Sequence, residues 1–340
     1  MAPRWEYVEI RARDGIVQAG APVIISASRA TDIPAFYADW FMRRLEVGYV
    51  KWINPFNGKP YYVSLEKTRA IVFWSKYPRP LFRFLDQLDE KGLNYYFTFT
   101  LNDYEDEKLE PRVPPLERRV AAFRELSERV GRSRVIWRFD PLILLEATGV
   151  AGLTRKLQRV GEQLHPYTEK LVISFADVGT YRRVPRNMAG TGYQEFDSRT
   201  MEEVARGLQG LNASWGLQIA TCTESIDLSA FGIVHNCCID GELMARVFQR
   251  DDLLMRFLGR SSPAQTSLRS PAAGKDVNRR LKDPGQRQAC GCIMSKDIGR
   301  YDTCPHLCRY CYANRDAATA IRNYERYRAQ AGADSEAILP

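Results

Sequence analysis

Short β-forming runs alternate with amphipathic stretches along most of the chain, and this alternation restricts the fold more than any other feature. The runs are Val23–Ser26, Tyr49–Ile53, Ala70–Trp74, Asn94–Thr100, Val135–Phe139, Leu171–Phe175, Trp215–Thr221 and Gly232–Ile239. Between them, Pro34–Val47, Leu81–Gly92, Leu116–Val130, Thr154–His165 and Ser198–Leu211 carry apolar residues at helical spacing. Strands separated by stretches of this length are joined by helical crossovers, which give βαβ units and a parallel sheet. Eight such runs predict a (β/α)8 TIM-type barrel over residues 15–257, with a cysteine-rich extension after it.

The texture changes after the barrel. Residues 258–288 are rich in Ser, Pro, Gly and Arg and read as a basic loop. Residues 289–328 hold five of the eight cysteines and end in a short helix from about Arg315 to Arg328. The tail 329–340 is expected to fray. With 45% hydrophobic and 26% charged residues, the whole chain is neither disordered nor fibrous. It has no apolar run long enough to cross a membrane and no apolar leader, so a cytoplasmic protein with no membrane partner is expected. The stretch Arg260–Arg328 carries 14 Lys and Arg against 6 Asp and Glu, which accounts for the whole net charge of +8. That excess has three readings: a solvated arm, a counter-charge to an anionic metal cluster, or a contact with a nucleotide or nucleic acid.

Active sites of such barrels lie at the C-terminal ends of the strands. Residues two apart share a strand face, which groups Ser26 with Ser28, Trp74 with Lys76, Thr98 with Thr100 and Asn102, Arg138 with Asp140, and Cys222 with Glu224. A sealed barrel would carry aliphatic residues there. Ser28, Arg29, Lys76, Thr100, Arg138, Asp140 and Ser174 are therefore candidate ligand contacts. The plainer alternatives are that Arg138 and Asp140 pair only with each other and that Asp32 caps the helix after it. Of the histidines His165, His235 and His306, the last stands between two cysteines.

The cysteines are Cys222, Cys237, Cys238, Cys290, Cys292, Cys304, Cys308 and Cys311, with none in the first 221 residues. Clustering of this kind reads as a metal or redox site, not as a disulfide framework. The core string Cys304-Pro-His-Leu-Cys308-Arg-Tyr-Cys311 has C-x3-C-x2-C spacing. Three thiolates on one loop can hold three corners of a 4Fe–4S cube and leave its fourth iron free for another ligand. This spacing, with Tyr310 directly before the third cysteine, resembles the radical S-adenosylmethionine (SAM) superfamily. The resemblance implies that Cys304, Cys308 and Cys311 bind a 4Fe–4S cluster, that SAM chelates the remaining iron, and that Tyr310 lies beside its adenine. It also implies reductive cleavage of SAM, hydrogen abstraction from an unidentified substrate, and a small electron donor such as a flavodoxin or ferredoxin. In that superfamily the loop follows the first strand; here it follows the barrel. The strings Ile25–Pro34, Asn54–Asn57, Phe73–Lys76, Trp137–Pro141 and Cys238–Glu242 resemble domain of unknown function family 1848, which implies no reaction.

Cys222, Cys238, Cys290 and Cys292 are enough for a second, four-cysteine cluster; otherwise Cys222 and Cys238 are simply buried thiols. Two other classes stand beside the enzyme reading. One is an iron–sulfur electron carrier without SAM. The other is a structural zinc clip drawn from the cysteines and His306 that staples the segment to a barrel binding an anionic ligand.

Overall fold

Strand pairing decides which β-forming runs share the main sheet. The computed structural model describes residues 5–181, 183–260, 277–287, 289–330 and 332–339. Its largest sheet holds eight parallel strands: β1 Ile24–Ala27, β2 Ala70–Ser75, β3 Asn94–Thr100, β4 Val135–Leu142, β5 Lys170–Phe175, β6 Gln218–Thr221, β7 Ile233–His235 and β8 Lys296–Asp297. From β1 to β7 the order in space follows the order in the chain, and β8 returns to lie on the other side of β1. That is the circular order of a barrel. Among the described residues, however, no ladder joins β7 to β8, so the expected closed barrel is corrected to an open eight-stranded sheet. The strands at the two edges are three and two residues long, and each pairs on one side only.

Membership is also corrected. Tyr49–Ile53 is a strand, but it pairs antiparallel with Pro60–Ser64 in a separate four-stranded sheet. That sheet also contains Glu6–Ala12 and Gly15–Ala21, so ordered structure begins before residue 15. The eighth strand of the parallel sheet comes instead from the cysteine-rich segment. Lys296 pairs with Ile25, and Asp297 with Ser26.

The central strands are buried on both faces, as parallel strands covered by helices are. Tyr95, Phe97 and Phe99 of β3 are fully buried with Phe73 of β2 and Trp137 of β4. The Phe73 and Phe97 rings stack 5.0 Å apart. Amphipathic helices Ala38–Val47, Leu116–Val130, Gly149–Leu164 and Ser198–Trp215 supply the outer apolar layer. The last of these is framed by sequence chemistry at both ends. Asp197 and Thr200 form a reciprocal cap at its start, and Gly216 takes the left-handed conformation (φ 63°) that ends it.

The C-terminal helix runs Ala317–Gln330, and the described residues after it, 332–339, do not show the expected fraying. Residues Ser335 to Leu339 are buried, the Trp40 indole donates to the Ser335 carbonyl at 2.8 Å, and Tyr49 donates to Glu336. Apolar Ala337, Ile338 and Leu339 explain this packing, since together they bury a continuous hydrophobic surface. Residues 261–276 of the expected basic loop lie outside the described residues. Among the described residues no helix is long and apolar enough to cross a membrane.

Candidate metal centre

The C-terminal ends of the strands carry most of the polar residues singled out in the sequence, and the cysteine-rich segment folds across them. Asp297 makes the join. Its carboxylate accepts from the Ser26 and Ser28 hydroxyls at 2.8 Å each, from the Arg29 N–H at 2.8 Å and from the Gly299 N–H at 2.9 Å. Glycine at 299 permits the close approach, because an added Cβ would stand 1.8 Å from the Ser28 oxygen. Ser28 is thus engaged in holding β8 to β1.

The segment then runs into the C-x3-C-x2-C loop, which is fixed to the strand-end loops by its backbone. Tyr37 donates to the Thr303 carbonyl at 2.7 Å, the Arg309 N–H to the Leu109 carbonyl at 2.9 Å, and the Asn314 amide to the Cys304 carbonyl at 2.8 Å. Leu307, between His306 and Cys308, holds a left-handed conformation (φ 57°). A branched side chain is strained there, and such strain persists only where the surroundings impose it. His306 Nε2 lies 2.8 Å from the Asp32 carboxylate. Asp32 also accepts from the Ala35 N–H at 3.0 Å, as the expected helix cap, and from the Lys76 N–H at 2.8 Å.

Cys304, Cys308 and Cys311 are free, half-buried thiols on this loop. Burial pushes all three up, Cys304 to about 12, while the Lys76 ammonium draws Cys308 and Cys311 back down. Lys76 belongs to a buried network that the sequence reading only partly anticipated. Its ammonium donates to Glu110 at 2.7 Å and to the Tyr310 hydroxyl at 2.9 Å. Tyr310 donates to Glu110, Asn102 donates to both, and Arg119 stands 3.6 Å from the other Glu110 oxygen. Burial raises the Glu110 carboxyl, but Lys76 and Arg119 outweigh it and hold the group down to about 2.

A second set of thiols gathers at the ends of β6 and β7. Cys222 and Cys238 lie with their sulfurs 3.4 Å apart, and the Cys292 sulfur accepts from the Ile239 N–H at 3.3 Å. Arg138 donates to the Cys238 sulfur at 2.9 Å and also pairs with Asp140, which in turn accepts from Ser174. The guanidiniums of Arg29 and Arg138 each stand 5.2 Å from the Trp74 ring centroid. Thr100 lies opposite Arg138 in the β3–β4 register.

The structure therefore brings Lys76 and Tyr310 together, and separately Arg138, Asp140, Ser174 and Cys238. Glu110, Arg119 and Trp74 belong to the same surroundings but were not singled out as site residues. Glu224, noted only for sharing a strand face with Cys222, accepts from the Phe175 N–H at 2.9 Å, and burial raises its carboxyl to about 7. His235 is exposed. A cavity of about 380 Å³ lies elsewhere, lined by Trp52, Asn54, Asn57, Tyr61 and Lys296 among others, and none of the cysteines borders it. Among the described residues no three His, Cys, Asp or Glu side chains converge as ligands of one metal ion.

These features define an α/β protein in which a cysteine-bearing segment covers the strand ends of a parallel sheet. The chain belongs to the family described as Domain of unknown function (DUF1848), whose model matches residues 24–313. Comparison with curated proteins finds no match. Among solved structures, a Bacteroides thetaiotaomicron protein provisionally described as an alpha-L-fucosidase aligns at 10% identity over 66% of this chain and 87% of its own. The TM-score of 0.25 is too low for that likeness to carry an argument.

Proposed function

We propose that the protein is a radical SAM-type enzyme whose 4Fe–4S cluster is held by Cys304, Cys308 and Cys311. The observation that carries this reading is the placement of the C-x3-C-x2-C loop over the C-terminal ends of parallel strands, with the Lys76 ammonium at one strand end donating to the hydroxyl of Tyr310 at 2.9 Å. The donor chemistry supports this reading: three free thiols on a loop whose backbone is held by outside partners. When bound, the cluster supplies the electron that cleaves SAM to methionine and a 5′-deoxyadenosyl radical.

The chain's own residues have separate tasks. Lys76 supplies positive charge beside thiolates that are costly to form in a buried loop. Glu110 and Asn102 fix the Tyr310 hydroxyl and so orient the aromatic residue ahead of Cys311. The SAM carboxylate needs a cationic partner, and of the candidate contacts Arg29, Lys76 and Arg138, Lys76 is paired with Glu110 and Arg138 with Asp140. Arg29 keeps a buried Nη2 without a hydrogen-bond partner, so it is the carboxylate partner in this reading. A reducing compartment such as the cytoplasm suits eight free thiols, and a small ferredoxin or flavodoxin suits the need for single electrons.

The test is anaerobic reconstitution with iron and sulfide, followed by dithionite and SAM. The expected products are 5′-deoxyadenosine and methionine, and both disappear in Cys304→Ala. A reconstituted protein that carries its cluster and releases neither product overturns the reading.

A further inference from the structure

We propose that the cavity between β8 and the hairpin Tyr49–Ile53/Pro60–Ser64 binds a small molecule that carries an anionic group on a planar ring, with Lys296 as the cation that recognises it. Adjacent residues of a strand point to opposite faces, and the two residues of β8 divide accordingly. Asp297 faces β1, where the Ser26 and Ser28 hydroxyls and two N–H groups occupy its carboxylate. Lys296 faces the hairpin and lines the cavity. Its ammonium lies 3.1 Å from the centroid of the Trp52 ring and 5.1 Å from that of Tyr61.

The hairpin places the two rings. Trp52 pairs directly with Tyr61, and residues opposite each other in a ladder stand on the same face. The Trp52 indole donates to the Gly299 carbonyl at 3.1 Å, which holds the ring against the segment that carries Lys296. The turn between the strands is fixed by its own side chains. Asn54 accepts from the Phe56 N–H at 2.9 Å, Asn57 accepts from the Lys59 N–H at 3.0 Å, and Gly58 takes the left-handed conformation (φ 70°). The string Asn54–Asn57, to which the proposed cluster gives no task, thus forms one rim of a preformed pocket. The volume of about 380 Å³ lies in the range of about 300–1,000 Å³ common to small-molecule sites.

Charge balance points to an anion. The buried cations at the strand ends have counter-ions: Lys76 pairs with Glu110 and Arg138 with Asp140. Among the described residues Lys296 makes no ion pair, and the nearby Asp297 carboxylate is committed to β1. No Asp or Glu among the described residues borders the cavity, whereas Lys59 does. Burial lowers the Lys296 ammonium to about 8, and Asp297 offsets only part of this, so the group is still mostly charged at neutral pH. A desolvated ammonium without a counter-ion is costly. A carboxylate or phosphate would supply one through charge-assisted hydrogen bonds, and the faces of Trp52 and Tyr61 would take the flat body of the ligand. A neutral sugar would lie on the same rings and leave Lys296 without a counter-charge.

The test is isothermal titration calorimetry on the full chain with two matched pairs, benzoate against benzamide and phenyl phosphate against phenol. At least one anion should bind about tenfold or more tightly than its neutral partner. Preference for benzoate alone assigns a carboxylate ligand, and preference for phenyl phosphate alone assigns a phosphate. Acetate and inorganic phosphate, which carry the charge without the ring, should bind about tenfold or more weakly than the corresponding ring anion. Lys296→Met keeps the aliphatic stem on Trp52 and removes the charge, so it should abolish the preference for the anion. The matched pairs decide the case even where that variant fails to fold. Equal affinity within both pairs, no saturable binding of either ring anion up to about 10 mM, or a folded Lys296→Met protein with wild-type affinity overturns the proposal. The site uses none of the cysteines, so Cys304→Ala should bind the ring anions as wild type does, and failure to hold a cluster leaves this result unchanged.

Discussion

Glu110 neutralises two buried cations at once, so its removal has a worked consequence. The carboxyl is held at about 2 against an ordinary 4.5. That depression corresponds to about 3 kcal/mol in favour of the folded state at neutral pH. Because the folded value is the lower one, the contribution is complete above the unfolded value and is lost as pH falls from about 4.5 toward 2. Glu110→Gln keeps an acceptor for Lys76 but leaves the Lys76 and Arg119 charges without their counter-ion. Breaking a buried pair in this way costs about 3–5 kcal/mol, and the retained acceptor brings the expected loss to about 3 kcal/mol at pH 7. Near pH 3 the wild-type carboxyl is largely protonated in the unfolded chain only, and the gap narrows to about 1.5 kcal/mol. The assay is urea unfolding of the cluster-free protein, wild type and variant, at stepped pH. A gap that stays constant between pH 7 and pH 3, or one under about 1 kcal/mol at pH 7, refutes the charge-pairing account.

Two further outcomes follow from the same reasoning. Gly299→Ala should push Ser28 away from Asp297 and cost about 1–3 kcal/mol; hydrogen exchange should then quicken in β8 and β1 together, and unchanged exchange in Ile24–Ala27 would sink the idea that this contact secures the eighth strand. Burial raises Glu224 to about 7, so this residue's contribution is intact below about pH 4.5 and falls as pH rises through 7. Glu224→Gln should match wild type in acid and exceed it by about 1–2 kcal/mol at pH 8, a figure reduced for partial exposure; thermal melts at the two pH values check this, and a stability difference of the opposite sign refutes it.

The sequence exposed the sheet better than its closure. Runs such as Asn94–Thr100 announce buried strands because aromatic and β-branched residues fill them, and the helical spacing of Leu116–Val130 matches the observed helix to the residue. Tyr49–Ile53 has the same local character, but its fate depends on Asn54–Lys59, a turn that brings the chain back along itself. Lys296–Asp297 could not be read as a strand, because two residues show no period and their pairing with Ile25 and Ser26 is a purely tertiary event. Similarly, Lys76, Arg138, Asp140 and Ser174 were legible from alternation at strand ends. Glu110 and Arg119 were not, because one comes from a loop and the other from the buried side of a helix.

The joining of β8 to β1 also fixes when the molecule can be finished. Ser26 and Asp297 touch across 271 positions of sequence, so the first strand of the sheet waits for one of its two neighbours until most of the chain has been synthesised. Contacts this distant form late, after loop closure that local pairing does not need. Until then β1 presents an unpaired edge, and the thiols that would receive iron have no common address. On the proposed reading, a cluster at Cys304, Cys308 and Cys311 would be loaded only after this late contact has formed.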